Sequence, residues 1–223
     1  MIKMLPFIAP FALYLIFSQF SGQFPDHFPL FYTVSVVVVG VTTVFLLRGL
    51  DILRMHRNVV PGIIFGIAGV VLWIFISRLQ LEQSIMWILP EWLQPSEREA
   101  FDPFLSIDNT ANQWAFITIR LMGLALLVPV VEEIFWRGFL LRWVISPDWQ
   151  DQKLGVFTLK SFLWVTFLFT LAHPEWIAAA VYFSLISVLF YWKRDLWNCI
   201  VAHSTSNLLL GIYVISTRTW ELW

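Results

Sequence analysis

The chain has 223 residues, of which 59% are hydrophobic and only 13% charged, with a formal net charge of -1. Ordinary soluble domains carry about 25% charged residues, so this composition is at odds with a water-soluble domain. The charge offers no basic surface to a nucleic acid, and the lone cysteine, Cys199, rules out an internal disulfide.

The apolar residues fall into long stretches with short polar interruptions, the pattern of a membrane protein. Composition stays uniform and no internal repeat appears, which predicts a single integral membrane domain over 1–223. A bilayer core asks for about 20 apolar residues per helix. Residues 4–20 give the first span, with Pro6 and Pro10 as points of kinking. Lys3 and the run after it resemble a secretory leader, but no small-x-small cleavage site precedes the polar stretch 21–28, so a retained helix is the better reading. Residues 28–47 follow. Val36 to Val39 would suit a strand in water, yet the length predicts a helix in lipid. The third span is 60–77, with Pro61 in its first turn.

Residues 80–111 hold Glu82, Glu91, Glu97, Glu99, Asp102 and Asp108 with three prolines, and predict an external loop with a short interfacial helix over 85–93. Residues 112–145 are too many for one perpendicular span. They predict a tilted helix that projects from the membrane and bends at Pro129. Spans over 161–173, 176–192 and 196–216 complete an all-α, polytopic transmembrane bundle of about seven spans, eight at most. The motif-bearing core is 112–216.

Basic residues set the orientation. Lys3, Arg48, Arg54, Arg57, Arg142, Lys153, Lys160, Lys193 and Arg194 fall on one side; Arg78, Arg98 and Arg218 fall on the other. This predicts a cytoplasmic amino terminus and an external carboxyl terminus. Trp114, Trp176 and Trp220 mark outer borders, and Trp143, Trp192 and Trp197 inner ones.

Several polar residues stand out against lipid. Glu132, Glu133 and Arg137 lie in the fourth span, His173 ends the fifth, and His203 and Asn207 lie in the seventh. An ionisable group at mid-bilayer costs about 2.5–3.5 kcal/mol on insertion scales, so three in one span need a compensating cause. Glu133 and Arg137, at i and i+4, can pair along one helix face, and Glu132 is turned about 100° away. His203 and Asn207 share a face in the same manner. At ~1.5 Å per residue, Glu132 lies roughly 15 Å from Arg142 and His203 roughly 12 Å from Lys193 and Arg194. Three spans thus bring polar groups to one level, somewhat to the cytoplasmic side. The Glu133–Arg137 pair by itself also reads as a structural clamp, and a lone histidine or asparagine as an interhelical hydrogen bonder. The set of Glu132, His173, His203 and Asn207 reads as a functional site. Arg120 falls on another face, nearer the outer side, where it would snorkel or pair with Glu175, and reads as structural.

Glu132-Glu133-x-x-x-Arg137, Phe169-x-x-x-His173 and His203-x-x-x-Asn207 together resemble the signature of the CPBP family. These intramembrane glutamic proteases include the type II CAAX prenyl endopeptidase. The resemblance spans 121–211 and leaves the first 110 residues without a motif; seven spans are one fewer than the eight of the CAAX enzyme. The run Phe135-Trp136-Arg137-Gly138 is also similar to a bacterial subset associated with exosortase-type protein sorting.

The resemblance implies peptide-bond hydrolysis in a membrane, here a bacterial inner membrane, with no cofactor. Its partners would be the lipid bilayer and a protein substrate that is lipidated or transmembrane. Glu132 would take a proton from water, His173 would orient that water and return the proton to the leaving amine, and His203 and Asn207 would bond the oxyanion. Glu133, Arg137 and Phe169 would support the base or position the substrate, and a polar cavity open to the cytoplasm would supply water. Two other readings stay open: a zinc protease using His173, His203 and a glutamate, and a non-enzymatic scaffold or proton-coupled transporter. Against zinc, no HExxH run occurs, and His27 and His56 fall in loops at opposite faces.

Overall fold

The computed structural model describes residues 4–48, 52–82, 88 and 100–223. Within them every regular element is helical. Helices α1 (Leu5–Gly22), α2 (Phe28–Leu47) and α3 (Val60–Leu79) come first, followed by a short α4 (Pro103–Ser106). A continuous 36-residue α5 (Thr110–Ile145) precedes α6 (Leu159–Leu171), α7 (Trp176–Lys193) and α8 (Leu196–Thr217). The predicted spans therefore appear as seven apolar helices. The interfacial helix read over 85–93 lies outside the described residues, Ile88 apart.

Five of the helices have the length and hydropathy to cross a bilayer, and α1 and α6 are shorter apolar helices. The 13 residues of α6 rise only about 20 Å, against a hydrocarbon core of about 30 Å. His173 lies just beyond the carboxyl end of α6 and lines an internal cavity. The long apolar helices make this an integral membrane protein.

Local chemistry fixes the ends. Asn109 accepts hydrogen bonds from the amides of Ala111 and Asn112 at the start of α5, and Asp195 caps α8 through the Asn198 amide at 2.8 Å. Between α7 and α8, Arg194 takes a left-handed conformation (φ 56°), which lets the chain reverse in two residues. Glu82, just beyond α3, accepts from the Ile177 amide at 2.8 Å and so caps α7 across the bundle.

Helix α5 runs through the middle, with α1 and α2 on one side and α6, α7 and α8 on the other; α3 packs on α7 and α8. The α3–α8 contact is close because α3 presents glycines. A Cβ on Gly62 would lie 2.7 Å from the Asn198 carbonyl oxygen, and one on Gly66 2.5 Å from that of Ala202. This is the small-residue spacing that lets membrane helices approach backbone to backbone.

Two wide turns interrupt α5. Gly123–Leu127 and Ile134–Leu140 are π-helical. The first ends just before Pro129, whose missing N–H breaks the α-helical ladder, so the irregularity expected at Pro129 takes the form of a register change. The second carries Arg137. Two border residues differ from expectation. Arg142 is buried and clamps the following loop, donating to the carbonyls of Gly138, Gln150 and Gln152. Trp220, expected at an outer border, is buried against Trp223 just past the end of α8.

Candidate active site

Glu133 is fully buried and both of its oxygens are used. Oε2 accepts from Arg137 Nη1 at 2.6 Å, and Oε1 accepts from His203 Nδ1 at 3.0 Å. Because a carboxylate only accepts, Nδ1 of His203 carries the hydrogen, and Nε2 is left to face other groups. Arg137 is held in turn by the Phe183 carbonyl (3.1 Å), by Ser187 Oγ (3.4 Å), and by the Phe183 ring beneath it at 4.4 Å. The pair expected along one face of α5 is thus present, and it reaches a third partner on α8. Sequence spacing within one helix could reveal the i, i+4 half of this arrangement, but not the half that joins residues 70 apart.

Glu132 is 5% exposed and takes no part in these hydrogen bonds. Its Oε2 is buried with no hydrogen-bond partner among the described residues. It lines a cavity of about 330 Å3 together with His173, His203 and Asn207, so residues from three helices meet in one space. His173 donates from Nδ1 to the Phe169 carbonyl at 2.8 Å, one turn back, which leaves Nε2 as its proton-accepting nitrogen. The Phe169 ring stacks on the imidazole at 4.3 Å, and Trp73 meets it edge-on at 5.9 Å. Phe169 therefore fixes both the tautomer and the plane of His173. Asn207 donates through Nδ2 to the Leu124 carbonyl at 2.9 Å, an acceptor in the first wide turn of α5.

Tyr182 and Trp73 escape sequence reasoning. Tyr182 donates to Ser206 Oγ at 3.1 Å, and its ring meets that of His203 at 5.6 Å. Ser206 in turn donates to the main chain, at 2.9 Å from the Gly66 carbonyl oxygen and 3.0 Å from that of Ala202. These residues sit in apolar helices without a motif, where a lone Tyr or Trp looks like core.

Arg120 stays apart from the glutamates, as expected, but does not lie at the surface. It is buried, donates to the Trp223 carbonyl, and lies over the rings of Phe28, Tyr32 and Trp223.

The cavity also departs from expectation. Beyond Glu132 it is lined by Ser18 and Gln19 near the end of α1, by Leu210 of α8, and by Leu222 and Trp223. It therefore extends away from the end that carries the basic loops, not towards it. At the basic end Phe7, Phe139 and Trp149 pack edge to edge, with ring centroids 4.8 and 5.2 Å apart, and fill the space.

Among the described residues no three His, Cys, Asp or Glu side chains come together as metal ligands. A His173–His203–glutamate zinc set would need Glu132, because both oxygens of Glu133 are engaged.

Comparison with known families bears on these motifs. Residues 113–209 match the family described as Type II CAAX prenyl endopeptidase Rce1-like. The match runs from α5 into α8 and contains every residue of the three motifs, which bears out the resemblance to the CPBP family. It supports a membrane peptide hydrolase of the CAAX type. The chain matches no curated protein and no solved structure.

Proposed function

We propose that the chain is an intramembrane endopeptidase of the glutamic type, in which Glu132 and His173 activate a water molecule. The observation that carries this reading is the contrast between adjacent glutamates. Glu133 is committed to Arg137 and His203, whereas Glu132 lines the cavity that holds His173 and its buried Oε2 has no hydrogen-bond partner among the described residues.

Glu132 takes one proton from water, and the hydroxide oxygen attacks the scissile carbonyl carbon. The carbonyl electron pair moves to oxygen. Asn207 has a second amide hydrogen beyond the one given to Leu124, and His203 donates from Nε2 while Glu133 holds Nδ1–H; both stabilise the oxyanion. Donation from Nε2 requires a proton on both ring nitrogens of His203, and the Glu133 carboxylate is the counter-charge beside it. The carbonyl re-forms as the C–N bond breaks, the proton that Glu132 took passes through His173 Nε2 to the departing amine, and the acid product keeps the oxygen from water. Every step uses side chains alone and needs no metal.

The substrate is a membrane-associated or lipidated protein. The excess of basic residues at one end supports a cytoplasmic amino terminus and an external carboxyl terminus, and the resemblance to the bacterial subset supports a bacterial inner membrane. The test is incubation of purified protein in lipid with a pool of transmembrane and lipidated peptides, followed by mass spectrometry. Cleavage by the wild type and none by Glu132→Gln is the expected result; equal cleavage by both overturns the assignment.

A further inference from the structure

A second, larger cavity of about 1060 Å3 lies at the end of the bundle opposite the basic loops. Its walls include Gln23, Asp26, Ser35 and Arg120. Tyr14, Ser18, Gln19, Leu124 and Trp223 line both this cavity and the one around Glu132, so the two spaces adjoin at these residues.

Helix α1 supplies the polar members of this set. Every residue of α1 before Tyr14 is apolar, yet Ser18 and Gln19 are exposed within it. Turned into lipid, a glutamine amide would forfeit its hydrogen bonds; beside a water-filled channel it does not. Tyr14 and Ser18, at i and i+4, lie one above the other along that helix. The far end of the site is closed by the Phe7, Phe139 and Trp149 cluster, so the wet route leads the other way. A protease substrate must also present an extended backbone whose N–H and C=O groups need partners once out of water. Hydroxyl and amide side chains along the route can supply them.

We propose that the active site is served from the end opposite the basic loops, through a passage with Tyr14, Ser18 and Gln19 as its polar rungs, and that this passage admits water and an extended segment of substrate. The peptide part rests on the protease reading; the passage does not.

The test uses cysteine labelling with a charged, membrane-impermeant methanethiosulfonate in sealed vesicles. Cys199, the sole native cysteine, is fully buried and leaves a silent background. Asp108→Cys and Gln150→Cys report the two ends, and Ile16→Cys, 62% exposed and absent from either cavity wall, reports the lipid face. Reagent on the side that labels Asp108→Cys should label Ser18→Cys and Gln19→Cys at least ten-fold faster than Ile16→Cys. Labelling only from the Gln150→Cys side, or no faster than Ile16→Cys, overturns the passage. In a second arm a bulky maleimide is attached at Gln19→Cys. Cleavage of the peptide pool should fall at least ten-fold relative to the same variant unmodified; unchanged cleavage overturns the peptide route. If the wild type cleaves nothing, the protease reading fails while the labelling still decides the passage.

Discussion

Glu132 and Glu133 are neighbours in sequence with opposite surroundings, and substitution should separate them. Glu132→Gln keeps shape in a cavity wall, and Oε2 has no hydrogen-bond partner among the described residues to lose, so its stability should stay within about 1 kcal/mol of wild type. Glu133→Gln leaves Arg137 buried without its counter-charge, a loss of about 3 kcal/mol or more. Thermal unfolding in detergent should place Glu133→Gln well below both wild type and Glu132→Gln; equal melting of the two variants would contradict the division of roles. For Asn207→Ala, removal of an oxyanion donor typically costs about 10²–10³ in kcat, so weak turnover should persist with KM little changed. A sharp rise in KM at constant kcat would assign Asn207 to substrate binding instead. The i, i+4 pairing of Glu133 with Arg137 and the separate direction of Glu132 were legible in the sequence, because both follow from the pitch of one helix. The His203–Glu133 bond was not, since nothing in a linear chain tells which residue of α8 meets which residue of α5.

At the scale of elements, the α3–α8 contact depends on the absence of side chains. A methyl group on Gly66 would press on the Ala202 carbonyl and on Thr205, and would part Ser206 from the Gly66 carbonyl. Overpacking of this kind costs about 1–3 kcal/mol. Gly66→Ala should therefore lower the melting temperature and, by shifting Ser206 and Tyr182 beside His203, also lower turnover; an unaltered melt would show that α3 can retreat freely. The helices themselves were legible because lipid enforces long apolar runs: the span read as 60–77 is Val60–Leu79, and 28–47 is Phe28–Leu47. The wide turns were hidden. Pro129 signals a disturbed ladder, but the sequence does not say whether it yields a bend or a change of register. The part played by Tyr14, Ser18 and Gln19 was hidden too, because scattered polar residues in a motif-free helix gain meaning only once a cavity lies beside them.

Across the whole molecule, the site is assembled from α5, α6 and α8, with Trp73 of α3 and Tyr182 of α7 closing around it. Placing the polar groups at one depth was within reach of residue counting, whereas the direction of the cavity was not. Counting measures height along each helix but not which end the aromatic residues seal. The donor geometry also bears on the zinc reading, since using Glu132 as a ligand would leave no glutamate able to act as base. Cleavage should therefore survive exhaustive chelation, with no stoichiometric zinc by elemental analysis of active protein. Loss of activity on chelation and its return with zinc would establish a metalloprotease.

The shortness of α6 has a consequence for the bilayer itself. Leu159, Leu163, Trp164, Phe167 and Leu171 are exposed on this helix, so one side of it meets lipid directly. A helix rising about 20 Å cannot match acyl chains that span about 30 Å, and thinning of the membrane beside it is the expected response. Headgroups and their water then dip towards His173 along that flank alone, while the long helices elsewhere hold the normal thickness. Hydrophobic mismatch of this kind costs fractions of a kcal/mol per ångström, so the lipid should tune the enzyme. Reconstituted in phosphatidylcholines of increasing chain length, the protein should turn over fastest in the thinner bilayers and lose activity as the chains lengthen. A rate independent of chain length would mean that α6 deforms nothing around it.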